Sequence, residues 1–259
     1  ITLIDSALYR KIKPGEFLRS GWTKSDKEAR SPGILAMING FNIVSRWVST
    51  QILLQTDLKQ RAITLNRVIC IAQKCLEYNN FNGVMEIIAS LHNSSIHRLY
   101  NTWEMLPQKS WDMFDSLSML MNSNAGEGNY YLYRNALKKV VPPLVPYLGV
   151  YLTDLIFLND GNKDFADDAK KMVNFHKMAK IARVVRTITT HQQTPYCLTP
   201  VEFIQDFLLK GPLFTDEEQY VESCKLEKKI PKSQRNATQN NKTVKKIKVD
   251  FKALNINDD

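Results

Sequence analysis

The chain has 259 residues, 44% of them hydrophobic and 24% charged, with ten Gly and ten Pro. That is ordinary globular composition, sufficient for one large domain or two small ones. The formal charge of +9 is uneven: residues 225–259 hold ten Lys and Arg against four Asp and Glu, whereas residues 1–224 hold 25 against 22. A body so near neutrality gives little reason to expect nucleic-acid binding.

No run of 18 apolar residues is present and the first residues lack a basic-then-apolar leader, so the sequence reads as soluble and intracellular. Cys70, Cys75, Cys197 and Cys224 form no Cys-x-x-Cys pair and have no His at ligand spacing, which makes them candidate small core residues rather than metal ligands. Asn93-Ser-Ser, Asn236-Ala-Thr and Asn241-Lys-Thr match the glycosylation pattern but carry no weight without a secretory signal.

Helical periodicity dominates and strand signals are scarce. Ser31-Pro32 opens a predicted helix with Ile34, Ile38, Phe41, Val44, Val48 and Ile52 on its apolar face. Asp57 is a predicted cap for a second helix with Leu58, Ala62, Leu65, Ile69 and Ala72 inward. Shorter helices follow over 81–93 and 95–106, then one at 110–121, a Gly/Asn loop at 122–129 and a helix at 130–139.

Pro142-Pro143 then breaks the chain and launches "VPYLGVYLTDLIFLNDGN", residues 145–162. Ten of the fourteen side chains from Val145 to Leu158 are apolar, yet the run is too short to span a bilayer and lacks the single stripe of a surface helix. Such a helix is either buried all round or presents one face to a partner. Asp160-Gly161-Asn162 turns it, and a long helix over 167–191 returns, forming an antiparallel hairpin. Helices in "TPVEFIQDFLL" and "TDEEQYVESCKLEKKI" complete an all-α array of about ten helices. Beyond residue 232 the Asn/Lys-rich chain reads as a basic tail without structure of its own.

The four histidines are His92, His97, His176 and His191. No Gly-x-Ser-x-Gly turn, phosphate-cradling Gly-x-x-x-x-Gly-Lys or Gly-x-Gly-x-x-Gly accompanies them. The sequence therefore favours surface recognition over covalent or acid–base catalysis, with no cofactor and no metal expected.

Several motifs converge on one family. "FNGVMEIIASLHNSSIHRL" (81–99) resembles the signature of Ras-type guanine-nucleotide exchange factors. "TWEMLP" (102–107), "YRNAL" (133–137), "PPLVPYLGVYLTDLIFLNDGN" (142–162), "NFHKMAKIARVV" (174–185) and "QQTPYCL" (192–198) follow in the family's order, and "LIDSALYRKIKPGEFLRSGWTK" (3–24) resembles its beginning. The nearest pattern is the Son-of-sevenless type.

The resemblance implies one catalytic domain over 1–232, followed by the tail at 233–259. It implies an all-helical bowl that binds a Ras-superfamily GTPase, of Ras or Rap type, and presses a protruding hairpin into its nucleotide site. Exchange then proceeds without covalent chemistry. Thr153, Ile156 and Asp160 would form the insertion face, with Ile156 at the magnesium site, Asp160 at the phosphate-loop region and Asn162 in the nearby turn. Ile38, Met85 and Tyr147, with Tyr130 nearby and Met37 and Trp22 on the same side, would receive the partner's second switch. Asn93 would hydrogen-bond the partner, and Lys180 would face it.

This chain departs from the pattern at Asp160, where the family has Glu, at Asn39, where it has Arg beside the pocket, and at His97, which replaces a Tyr. The departures at Asp160 and Asn39 motivate an alternative, an exchange-inactive GTPase-binding scaffold of the same fold. A helical hydrolase is a third class, disfavoured by the missing nucleophile motifs. Plainer readings stand beside each role: Trp22, Ile38 and Met85 as core, Tyr147 as a hairpin staple, Asn93 as a helix cap, Arg98 in an intradomain salt bridge, Lys180 as a solvated charge. The tail is a solubilising appendage on one reading and an attraction to anionic membrane on the other. The resemblance places the protein in the cytoplasm, with the inner face of the plasma membrane as the site of recruitment on the second reading. A helical module that braces the hairpin in many members would precede residue 1.

Overall fold

A computed structural model describes residues 1–228 except Asp168 and Lys170; the basic tail at 233–259 lies outside the described residues. Every regular element among them is helical. In chain order these are α1 Thr2–Lys11, a 3-10 segment Pro14–Thr23, α2 Lys27–Arg30, α3 Pro32–Leu53, α4 Leu58–Glu77, α5 Phe81–His92, α6 Ser94–His97 and α7 Tyr100–Glu104. There follow α8 Gln108–Leu120, α9 Tyr131–Lys139, α10 Leu148–Asp160, α11 Phe175–His191, α12 Glu202–Lys210 and α13 Asp216–Leu226. The all-α expectation holds.

The axis of the domain is α5, whose twelve residues are all buried. It packs between α3 and α4 and against α8. Leu65, Ile69, Val84, Ile88, Leu91 and Phe114 are among the side chains that close this main core. Asn80 begins the helix by accepting from the Gly83 N–H at 2.9 Å, and its Nδ2 donates to Asp5 Oδ2 at 2.7 Å, so the cap also ties α1 to α5. A second core joins α1, the 3-10 segment, the first half of α3, α10 and α11 through Tyr9, Phe17, Trp22, Leu152, Leu155 and Ile188.

Asp57 caps α4 as expected, accepting from the Gln60 N–H at 2.9 Å. Ser31 precedes α3 but does not cap it with its side chain; its Oγ donates to the Glu16 carbonyl. The Glu16 carboxylate takes that role instead, receiving the N–H groups of Gly33 (2.6 Å) and Ile34 (3.1 Å). An anion at the positive end of a helix is stabilising, and here it also locks the 3-10 segment onto α3.

Two expectations are revised. The returning hairpin helix begins at Phe175 rather than 167, because Asn174 caps it by accepting from the Lys177 N–H at 3.1 Å. Ahead of it Ala166 N–H donates to Met172 O and Asn174 N–H to Asp164 O, outside any helix. Of the cysteines, Cys75 alone is buried, while Cys70 and Cys197 are exposed.

The last two helices return to the body. Arg98 donates to Ser223 O (2.6 Å), Ser223 Oγ and Glu227 O (2.7 Å), so it anchors the end of α13 through hydrogen bonds to carbonyls rather than a salt bridge. Glu227 itself receives Thr102 Oγ1–H at 2.7 Å and the backbone N–H groups of Asn101 and Thr102, with Arg61 at 3.5 Å.

Candidate functional site

The hairpin is anchored at one end and bare at the other. Buried residues of α10 run from Leu148 to Leu155 and then stop. At the anchored end Tyr9 Oη donates to Ile188 O (2.9 Å), and Gln192 Nε2 donates to the carbonyls of Tyr9 and Ile12. At the bare end, Phe157 (72% exposed) and Phe175 (80%) leave their rings in solvent.

At about 100° per residue, Thr153, Ile156 and Asp160 fall within roughly 60° of one another on α10. Thr153 and Ile156 are half-buried and Asp160 is exposed. Thr153 Oγ1 donates back to Gly149 O at 2.9 Å. Asp160 Oδ1 accepts from Asn159 Nδ2 at 3.1 Å, and Asn162 Nδ2 donates to Leu158 O at 2.9 Å, closing the helix end. Phe157 adjoins this sector; it was legible as the one large aromatic of the run's final turn, yet no role was assigned to it.

Two polar attachments escaped the sequence reading. Asp154, mid-way along the apolar run, is held by a bidentate fork from Arg134 on α9 at 2.8 and 2.9 Å. Arg134 also donates to Asn129 O and Oδ1, so one guanidinium joins the hairpin to the loop before α9. The second is Lys177, whose side chain is 3% exposed. Its Nζ donates to Asn159 O (2.7 Å), Asn162 O (2.8 Å) and Asp164 Oδ1 (2.6 Å). The Lys177 hydrogen bond and charge, with a lesser contribution from Arg19, hold the Asp164 carboxyl below its ordinary range. Lys180, the residue singled out from the sequence, is exposed on the same helix.

Beside the hairpin lies a shallow groove, with a cavity of only about 10 Å³, lined by Met37, Ile38 and Phe41 of α3, Asn82 of α5, and Tyr147, Leu148, Gly149 and Leu152. Ile38 is the half-exposed member of the α3 stripe, and Asn39 beside it is exposed. Tyr147 is nearly covered, with Phe41 and Tyr130 rings each 6.0 Å away, and its N–H donates to Tyr133 Oη at 2.9 Å. Trp22, Met37 and Met85 are core residues that support this face from within; only Met37 also reaches the groove. Tyr130 takes a left-handed backbone (φ 57°) at the start of α9.

Asn93 and His97 sit apart from the groove's lining. Asn93 Oδ1 accepts from the Ser95 N–H at 2.9 Å, so it caps α6. The His97 ring stacks 6.5 Å from that of His92, whose own pKa is pushed down to about 4 by burial and by the neighbouring imidazole. Among the described residues no three His, Cys, Asp or Glu side chains gather as metal ligands would.

The RasGEF domain model matches residues 1–179. The chain belongs to the RasGEF domain family. It is 38% identical over 232 residues to the Ras-specific guanine nucleotide-releasing factor 2 of Danio rerio, covering 89% of this chain and 18% of that protein. It is 41% identical over 213 residues to the Ras guanine nucleotide exchange factor A of Dictyostelium discoideum, covering 81% of this chain and 34% of the relative. With the Ras-specific guanine nucleotide-releasing factor 1 of Homo sapiens the identity is 35% over 232 residues, 89% of this chain and 18% of the relative. The chain thus spans a minor part of each relative's length. Within the RasGEF match lie α10, the turn and Lys177; the rest of α11 and helices α12 and α13 follow it.

Proposed function

We propose that this RasGEF domain binds a Ras-family small GTPase and accelerates release of its GDP by pressing the α10–α11 hairpin into the nucleotide and magnesium site. The observation that carries this is the one-sided hairpin: Leu148, Leu152 and Leu155 are buried, while Thr153, Ile156, Phe157 and Asp160 stay accessible beside the groove that holds Ile38.

No bond in the nucleotide needs to break. The domain has to bind the opened, nucleotide-free GTPase more tightly than the closed one, because equal affinity for both shifts nothing. A 10⁴-fold acceleration corresponds to about 5.5 kcal/mol at roughly 1.4 kcal/mol per decade. Burying Ile156 and Phe157 against the opened partner, at about 1.5–3 kcal/mol each, supplies most of it. Ile156 would occupy the magnesium site without acting as a ligand. Asp160 would set negative charge against phosphate. Ile38, with Tyr147 and Tyr130 behind it, would receive the second switch, and Lys180 would add a long-range attraction. A GTPase partner places the domain on the cytoplasmic side.

A second reading, a GTPase-binding scaffold without exchange activity, is favoured by two positions. Asp160 is one methylene shorter than Glu, and Asn39 offers no charge beside the groove. Release of a fluorescent GDP analogue from a panel of Ras and Rap proteins separates the two. Accelerated release supports exchange; binding without acceleration supports the scaffold; neither with any member refutes both.

A further inference from the structure

Helix α12 leaves an apolar side uncovered, away from the hairpin. Phe203 is 81% exposed, Ile204 52% and Phe207 45%, while Leu208, about 40° round the helix from Ile204, is buried. At about 100° per residue the three exposed side chains share roughly 100° of the helix. The Phe207 ring meets the edge of Trp47 on α3 at 5.7 Å, so the patch sits over the second half of α3. The same stretch of α3 receives the start of α13: Asp216 lies 3.5 Å from Arg46, and Phe214 N–H donates to Thr50 Oγ1 at 3.0 Å. Exposed large apolar side chains grouped in this way mark interaction surfaces.

The chain itself carries a matching segment. Residues 201–228 hold seven Asp and Glu against three Lys, a net −4, and residues 229–259 hold eight Lys and Arg against three Asp, a net +5. Within that basic stretch, "VKKIKVDFKAL" (244–254) interleaves Val244, Ile247, Val249, Phe251 and Leu254 with four lysines. It is apolar and cationic where α12 is apolar and anionic.

The tether is long enough. Val244 follows Lys228 by 16 residues, which reach up to ~55 Å when extended. The 11 residues of α13 span only about 16 Å back to the Asp216 end beside α12. A tethered segment also meets its site at an effective concentration in the millimolar range.

We propose that segment 244–254 docks in cis on the apolar face of α12. Phe251 and Ile247 cover Phe203, Ile204 and Phe207, and Lys245, Lys246 and Lys248 face Glu202, Asp206 and Asp216. The proposal is independent of what the hairpin does.

The test uses the full chain. Zero-length carbodiimide crosslinking with peptide mapping is expected to join Lys245, Lys246 or Lys248 to Glu202, Asp206 or Asp216. A mixture of ¹⁴N- and ¹⁵N-labelled protein is expected to give these links within one isotope only. Hydrogen exchange of α12 amides is expected to speed at least tenfold in Phe251→Asp, with α5 unchanged. Phe203→Asp, at a solvent-facing position that leaves the core intact, is expected to abolish the same links. Mixed-isotope links would assign the face to a second copy and overturn the cis contact. Absence of links, with α12 exchange equal in both proteins, would overturn it too.

Discussion

Lys177 is the most exacting place to probe the hairpin. Lys177→Met keeps an unbranched side chain of similar length and removes the ammonium that joins Asn159 O, Asn162 O and Asp164 Oδ1. A buried carbonyl left without its donor costs about 1–3 kcal/mol. Asn159 and Asn162 are only half-buried, so water replaces part of each bond and the low end applies. Asp164 is 45% exposed and its pairing with Lys177 contributes little once solvent screening is counted. The local cost is therefore about 2–3 kcal/mol, concentrated on the turn that carries Asp160 and Asn162. If the turn must hold its shape in the opened complex, exchange slows by roughly 30- to 150-fold at ~1.4 kcal/mol per decade. The assay is release of a fluorescent nucleotide at varied domain concentration, alongside a thermal melt. The maximal rate is expected to fall while the half-saturating concentration stays within about threefold, since the Ile38 groove is untouched; Lys177→Arg, which retains the charge, recovers part of the rate. A Lys177→Met protein that melts normally and exchanges within twofold of wild type would refute the reasoning.

Ile156→Ala is expected to slow exchange about tenfold and to destabilise the domain by no more than ~1.5 kcal/mol, because the side chain is half-exposed; a melt showing a loss above ~3 kcal/mol would reassign Ile156 to the core. Ile38→Asp is expected to weaken GTPase docking with little change in melting, whereas Tyr147→Ala should cost about 3 kcal/mol of stability from its buried aromatic cluster; equal melting of the two variants would contradict that division. Burial pushes the Asp5 carboxyl up to about 6 and Glu86 well above its ordinary value, the latter also through the neighbouring Asp5 charge. Both pKa values are raised, so the stability these groups contribute is full below about pH 4 and is lost as pH rises through 6 and beyond. Glu86→Gln is expected to flatten the fall in melting temperature between pH 5 and pH 8; parallel curves for the two proteins would count against Glu86 as a source of that dependence.

The periodic parts of the fold were legible because burial repeats with the helix. On α3 five of the six apolar positions read from the sequence are buried, and the exception, Ile38, is the half-exposed one at the groove that Phe41 also lines. Periodicity could not distinguish it, since an apolar side chain facing a partner and one facing a core look alike in sequence. The same ambiguity hid Phe157 among the apolar residues of α10 and placed Trp22 and Met85 at a surface they only support. Contacts closed by tertiary structure left no local trace: Glu16 caps a helix 17 residues onward, Arg134 reaches Asp154 across 20, and Lys177 folds back over a turn it follows by 15. The helix begun at 175 rather than 167 has a similar origin, in the Asn174 cap and in the pairing of Ala166 with Met172.

The family signature itself turns out to be mostly architectural. Asn82 donates to the buried Glu86, Asn93 caps α6, and Arg98 fastens α13. These side chains are engaged within the domain, as most buried polar groups of a fold are. The residues proposed to act on a GTPase need no such partners. Ile156, Phe157, Asp160 and Ile38 are held only by the helices beneath them, so they are free to vary from Glu to Asp, or from Arg to Asn at position 39, while the domain still folds. Recognition of the family and assignment of exchange strength therefore draw on different residues, and the exchange measurement is needed even where the fold is plain.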